Sequence, residues 1–227
     1  MRQSVAGTVA CPAGNAPLSA AAPALAEAKR RGWTVTQVWN THHHWDHSGG
    51  NVAMKEATGC TVAGPADETI PGRDVALSEG SELRIGDHLG TVIEIPGHTL
   101  GHVALCFDGD RVAFVGDTLF AMGCGRLFEG TAQQMHHSLG RLVSLADDTA
   151  LYCGHEYTLA NARWAALAEP GNAAIAERLA KVEAMRVAGE ITLPTSVAEE
   201  RATNPFVRAK SVEEFARLRA EKDSFRS

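Results

Sequence analysis

The segment Thr41-His42-His43-His44-Trp45-Asp46-His47 constrains this chain more than any other feature, because it packs four of the 10 histidines and a carboxylate into adjacent positions. On an extended stretch, residues two apart share a face, so His42 and His44 can converge on one ion. Asp46 and His47, just beyond, can turn toward a second. Neutral imidazole and carboxylate suit zinc, iron or manganese, and the lack of a cysteine in the set argues against a closed structural zinc site. A solvated polar loop or an artificial histidine tract would leave the same composition. A tag, however, would be terminal and uninterrupted, and this run is neither.

Four ligands on one loop cannot fill two coordination shells, so the reading demands distant partners. Three later segments offer them: Pro96-Gly97-His98-Thr99, Val115-Gly116-Asp117-Thr118 and Tyr152-Cys153-Gly154-His155-Glu156. Each is weak alone, since a His or Asp after Gly is commonly a loop or turn residue. Together they recur at successive strand ends, where ligand sites of layered α/β folds collect.

The chain pattern supports that placement. Val5 to Ala10 reads as a short strand closed by Cys11-Pro12-Ala13-Gly14, and Ser19 to Arg31 as a helix with Ser19 as N-cap and Gly32 as stop. Val35 to Trp39 reads as a strand and Asn51 to Thr58 as a helix. Short strands follow at Thr61–Val62, Ser81–Ile85, Gly90–Ile95, His102–Phe107 and Arg111–Val115, with Asp108-Gly109-Asp110 as a hairpin turn. Gln133 to Ser144 reads as helix and Ala150 to Cys153 as a last strand. Beyond Tyr157 strand signals nearly vanish, and helices are expected at Leu159–Ala168, Asn172–Ala188 and Val212–Glu221. Two domains are therefore expected, a mixed α/β metal-binding domain over 1–156 and an α-helical substrate-binding domain over 157–227.

Composition excludes several function classes. With 44% hydrophobic and 21% charged residues, 227 residues can bury a sizeable core. A net charge of −6 and no basic stripe argue against nucleic-acid binding. No apolar run approaches the ~18–20 residues needed to span a bilayer. The early Pro and Gly residues interrupt any signal-peptide core. Five scattered cysteines fit a reducing compartment, so a cytoplasmic protein is expected.

The His42–His47 run with Pro96-Gly97-His98-Thr99, Gly116-Asp117-Thr118 and Gly154-His155-Glu156-Tyr157 resembles the metallo-β-lactamase superfamily. Within it, the closest likeness is to the glyoxalase II (hydroxyacylglutathione hydrolase) family. Gly123-Cys124-Gly125-Arg126, Phe128-Glu129-Gly130-Thr131, Glu169-Pro170-Gly171-Asn172-Ala173, Asn204-Pro205-Phe206 and Arg219-Ala220-Glu221-Lys222-Asp223 narrow it. The resemblance implies an αββα sandwich followed by a small α-helical domain. It also implies a thioester hydrolase releasing D-lactate and glutathione from S-D-lactoylglutathione, in methylglyoxal detoxification.

By that likeness His42, His44 and His98 hold metal one, Asp46, His47 and His155 hold metal two, and Asp117 bridges them. Zinc is the default ion, with iron or manganese fitting the same donors. A hydroxide shared by the two ions would attack the acyl carbon, with Asp46 and Asp117 as the catalytic carboxylates. Ser48 and Cys124 lie near the site, but neither carries a histidine-backed triad pattern. Arg126, Tyr157, Arg219 and Lys222 match the family's glutathione contacts, and Arg219 and Lys222, three apart, would share a helix face. Phe128 stands where some members carry Tyr, which removes one hydroxyl contact.

His43 is expected to face outward, His136 and His137 to be helix-surface residues, and His102 to be either ligand support or structural. The expected partner is a small glutathione thioester, met by a monomer. The family's first strand ordinarily ends in Asp-Pro and follows another strand, whereas here Cys11-Pro12 stands at that point, so an edge strand is expected to be missing. A persulfide dioxygenase, a lactonase or an inactive metal-binding scaffold are the alternatives.

Overall fold

The computed structural model describes residues 17–225. The expected strand over Val5–Ala10, the Cys11–Gly14 turn and the question of a missing edge strand lie outside them. The described residues open with helix α1 (Pro17–Arg31), which begins two positions before the expected start at Ser19. There follow strand β1 (Gln37–Trp39), one turn of helix α2 (Trp45–Ser48) and α3 (Asn51–Thr58). Gly59 ends α3 in the left-handed conformation, φ 69°, as a side-chain-free residue readily does. β2 (Thr61–Pro65) and β3 (Val75–Leu77) complete a parallel sheet in the order β1-β2-β3.

The second sheet begins with β4 (Glu82–Ile85), β5 (His88–Glu94), β6 (Val103–Phe107) and β7 (Val112–Gly116), each antiparallel to the one before. The Asp108–Asp110 turn forms as expected, as one 3₁₀ turn closing on Arg111 at φ 56°. A small hairpin, β8 (Leu119–Phe120) and β9 (Gly123–Cys124), precedes α4 (Ala132–Leu142), whose Thr131 and Gln134 form a capping box. β10 (Ala150–Cys153) then runs parallel to β7.

The remaining elements are α5 (Thr158–Ala168), α6 (Ala173–Val187), β11 (Thr195–Ser196), α7 (Val197–Thr203), α8 (Pro205–Arg208) and α9 (Val212–Ser224). Asn172, Ser196, Asn204 and Ser211 cap the starts of α6, α7, α8 and α9. β11 returns to pair antiparallel with β10, giving the second sheet the order β11-β10-β7-β6-β5-β4.

Alternation along β6 sets the layering. Val103, Leu105 and Phe107 join Ala63 and Leu77 of the first sheet in one apolar cluster, while Ala104 and Cys106 join a larger one. That larger cluster packs the sheet's other face against Met135 and Leu139 of α4, Ala162 and Trp164 of α5, and Phe206 and Phe215. α1 and α3 cover the outer face of the three-stranded sheet through Ala21, Ala53, Met54 and Val38. The order helix, sheet, sheet, helix is the expected αββα sandwich, and among the described residues beyond β10 the only strand is β11, the other regular elements being helices.

A buried polar node joins those helices to the sandwich. Glu200, fully buried, pairs with Arg178 Nη1 at 2.9 Å and accepts from the Met122 N–H at 2.9 Å and Asn204 Nδ2 at 2.7 Å. Asn204 Nδ2 also donates to Gly123 O at 2.9 Å, and Asn161 Nδ2 to Ala121 O at 3.1 Å. The turn between β8 and β9, with Met122 at φ 59°, is thus held from outside the sandwich. Removing one partner of a buried pair leaves an uncompensated charge, so Glu200→Ala is expected to cost ~3–5 kcal/mol in urea denaturation. A loss under ~1 kcal/mol would show the pair to be dispensable.

Candidate metal centre

The seven histidines and aspartates expected as ligands come from the segment between β1 and α3, which includes α2, and from the loops after β5, β7 and β10. The chain after β1 bends at Thr41 and His42, is extended at His44 (φ −52°, ψ 142°) and then turns into α2, which carries Asp46 and His47 and brings the His47 ring to 4.2 Å from that of His42. Asn40 Nδ2 donates to His47 O at 3.1 Å, and Ser48 Oγ donates to His43 O at 2.8 Å, so both ends of this loop are tied down. His98 follows β5, Asp117 follows β7 and His155 follows β10.

Donor atoms of His42, His44 and His98 lie within 4.8 Å of one another, and so do those of Asp46, His47 and His155. Asp117 stands between the two groups. Its Oδ2 is 3.6 Å from His98 Nε2 and 3.3 Å from His155 Nε2, and its Oδ1 is 3.4 Å from His47 Nε2. His42, His47 and Asp117 also form a close set, which places Asp117 against both groups.

These residues fit divalent cations on three counts. His42 Nε2 and Asp117 Oδ1 are buried polar atoms with no hydrogen-bond partner, which is costly unless something else satisfies them. Burial, reinforced by neighbouring imidazoles, pushes the His42, His44 and His98 pKa values down, so these rings are neutral and able to donate a lone pair. His98 Nδ1 donates to Arg126 O at 2.9 Å, leaving Nε2 to face the centre.

The carboxylate and its neighbours titrate in opposite directions. Burial alone raises Asp117, but the His155 and His47 imidazoles set close beside it outweigh burial and hold it below the ordinary carboxylate range. His155 is raised, first by the Asp117 carboxylate 3.3 Å from its Nε2. Three glycines make room for the cluster. A Cβ on Gly154 would overlap Asp117 Oδ1 and lie 2.5 Å from His47 Cε1, and one on Gly125 would overlap the Asp117 carbonyl. Gly116, at φ 50°, would overlap Thr41.

The other histidines divide differently from expectation. His102 is fully buried, stacks on His42 at 4.6 Å and accepts from the Asp117 N–H at 3.1 Å, so it supports two of the seven residues directly. Burial, then His98, pushes it down to about 3. His43 does point away from the centre, but its Nε2 sits 2.8 Å from Glu129 rather than in open solvent. His137 is exposed as expected, whereas His136 is half-buried and bonds Ala209 O at 3.0 Å. Its contact fastens α4 to the C-terminal helices.

Around the centre, Tyr157 is 51% exposed and stacks on His155 at 5.1 Å. Phe128, 62% exposed, stands edge-on to His44 and His98 at 5.5 and 5.3 Å. Arg126 is exposed, its Nε 3.6 Å from Asp223. Lys222 is half-buried over the Trp164 and Phe225 rings and donates to Ala160 O at 3.2 Å.

Arg219, expected to contact glutathione from the same helix face as Lys222, is enclosed instead. It is 6% exposed, and its guanidinium donates to Cys124 O at 2.9 Å and Asp223 at 2.8 Å. Helix spacing places Arg219 and Lys222 on neighbouring positions but does not say that packing against Phe206 buries one of them. Glu129 and Glu68 are the residues sequence reasoning gave no role. Glu68 is buried and accepts from the Thr99 hydroxyl, beside His98. Neither carries a spacing signal.

Comparison with known proteins places this geometry. Residues 12–155 match the family model of the metallo-beta-lactamase superfamily, and residues 156–225 that of the hydroxyacylglutathione hydrolase C-terminus. The hydroxyacylglutathione hydrolase of Methylococcus capsulatus is 51% identical over 222 residues, covering 91% of this chain and 87% of the relative. That of Rhizobium johnstonii is 48% identical over 220 residues, covering 90% and 86%. Among solved structures, ETHE1 from Myxococcus xanthus superposes with a TM-score of 0.70 at 29% identity, over 92% of this chain and 79% of that one. TTHA1623, solved in a di-iron-bound form, gives 0.57 at 25% identity, over 81% and 83%. This chain belongs to the metallo-β-lactamase superfamily and, within it, to the hydroxyacylglutathione hydrolase family.

Proposed function

We propose that this chain hydrolyses S-D-lactoylglutathione and related 2-hydroxyacyl-glutathione thioesters to the hydroxy acid and glutathione, as a cytoplasmic monomer in methylglyoxal detoxification. The observation that carries the reading is Asp117, one carboxylate within 3.6 Å of a histidine from each of two close groups. His42, His44 and His98 would hold one divalent ion and Asp46, His47 and His155 the other, with Asp117 shared. Zinc suits the set, and iron or manganese would use the same donors. Bound there, two ions supply Lewis acidity that brings the pKa of water toward neutrality.

The chain's own residues do the rest. Asp46 Oδ2, 3.2 Å from His155 Nε2 and with its side chain 39% exposed, is placed to orient an incoming water and receive its proton. Asp117, held ionised by His155 and His47, keeps those rings turned inward. A thiolate leaves without full protonation, since thiol pKa values lie near ~8.5. No protein nucleophile is needed: burial pushes the Cys124 thiol up to about 11, and Ser48 Oγ is spent on the His43 and His44 carbonyls.

Glutathione's carboxylates would meet Arg126 and Lys222, with Tyr157 and Phe128 as apolar walls. Arg219 works as a positioning residue here, fixing Cys124 and Asp223 behind them. The likeness to the C-terminus model supports this assignment of the helical residues to substrate binding. No helix among the described residues is long and apolar enough to cross a membrane. With a net charge of −6, a small molecule rather than nucleic acid is the fitting partner.

The test is thiol release from S-D-lactoylglutathione, with bound metal quantified in the same sample. Two equivalents and rapid release are expected. One equivalent with no release would favour the persulfide dioxygenase alternative. Burial, with Arg219 and Arg126 adding to it, pushes Lys222 down to about 8. Below that pH the amine is charged and attracts a carboxylate; above it the attraction is lost. So kcat/KM, which reports the free enzyme, is expected to fall as pH rises through about 8. Lys222→Arg should remove that limb while keeping the charge. An unchanged limb would take Lys222 out of the binding site.

A further inference from the structure

We propose that His43 and Glu129 form a clasp that positions the first ion's ligands, His44 and His98, and so sets the affinity of that ion apart from that of the second. The inference rests on the two-ion reading above.

His43 is the one histidine of the run that turns away from the centre, and it does so onto a defined partner. Glu129 Oε1 lies 2.8 Å from His43 Nε2, and Oε2 accepts from the Leu100 N–H at 2.9 Å. One carboxylate therefore joins the loop carrying His42 and His44 to the turn carrying His98. The adjoining residues reinforce the join. Gly130 N–H donates to Gly97 O at 3.1 Å, and Phe128 packs edge-on against both His44 and His98. Among the described residues, no hydrogen bond links His43 or Glu129 to Asp46, His47 or His155. The second group instead takes its support from Asn40 at His47 O and from Gly154 beside Asp117.

Exposure separates positioning from plain stabilisation. Both side chains of the clasp are 34% exposed, and polar pairs at such places add little to folding stability. A pair that stabilises weakly yet spans two ligand-bearing loops acts chiefly by fixing where His44 and His98 stand. Groups that orient metal ligands from behind typically change metal affinity ~10–100-fold when removed.

The experiment uses the full chain, zinc alone and a chromophoric chelator as competitor. In Glu129→Ala, one of two zinc equivalents is expected to weaken by ~10–100-fold, the other to stay unchanged, and Tm to move little. Glu129→Gln, which still accepts from Leu100, should recover most of the loss. Site assignment comes from pairing. In a His155→Ala background Glu129→Ala should weaken the remaining equivalent, and in a His98→Ala background it should not. Unchanged binding in Glu129→Ala, or equal weakening of both equivalents, overturns the clasp. Wild-type stoichiometry tests the two-ion reading separately. If only one equivalent binds, that reading fails, and the clasp falls too unless Glu129→Ala weakens that equivalent.

Discussion

Asp117→Ala is expected to lower kcat at least ~1,000-fold, ~4 kcal/mol on the barrier, while leaving the chain folded. The size follows from position. Asp117 is 5% exposed and faces both groups, so truncating it removes a donor from each and the only carboxylate between them among the described residues. Survival of the fold follows from the titration of its neighbours. Burial keeps His42 and His98 below their ordinary range, so losing the carboxylate strands no buried cation among them. Steady-state thiol release, circular dichroism and metal content on one preparation would check all three parts. Robust turnover by this variant would sink the two-ion mechanism.

Gly154→Ala should be nearly as damaging, although it adds one methyl group and deletes nothing. Its Cβ would be driven into Asp117 Oδ1 and within 2.5 Å of His47 Cε1, so the cluster has to open. Gly154 N–H is itself held by Gly116 O at 2.9 Å, which prevents the backbone from backing away. Overpacking of this kind costs ~1–3 kcal/mol of stability. The larger effect is expected on the second ion, with affinity down ~10–100-fold and kcat falling with it. Gly171→Ala, at a glycine with nothing within 4 Å, is the control. Tight binding of two equivalents by Gly154→Ala would mean that the cluster yields more easily than its packing implies.

The sandwich and the loops that bring the His and Asp side chains together were legible in the sequence because both depend on local pattern. The residues proposed as ligands follow within a few positions of a strand end, and the unbroken apolar run Val103–Phe107 marks a strand buried on both faces. What escaped depends on distance or on burial. β3 and β11 have 3 and 2 residues, too few for any period to show. His43 and Glu129 are 86 positions apart, so no spacing rule could pair them. The spacing of Arg219 and Lys222 correctly implies adjacent helix positions, yet only the packing of α9 reveals that one guanidinium is enclosed while the neighbouring amine is half-open. Charge type was readable; solvent access was not.

The Glu200 node bears on how such proteins can exchange parts. The two family models meet between residues 155 and 156, which invites the view of two interchangeable modules. Yet Glu200, Asn204 and Asn161, all beyond that junction, supply the partners for Met122, Gly123 and Ala121 before it. A chimera spliced at the junction would inherit a turn from one parent and its fasteners from the other. Viable recombinants should therefore carry residues 119–124 together with the C-terminal helices of the same parent, making the heritable unit discontinuous along the gene.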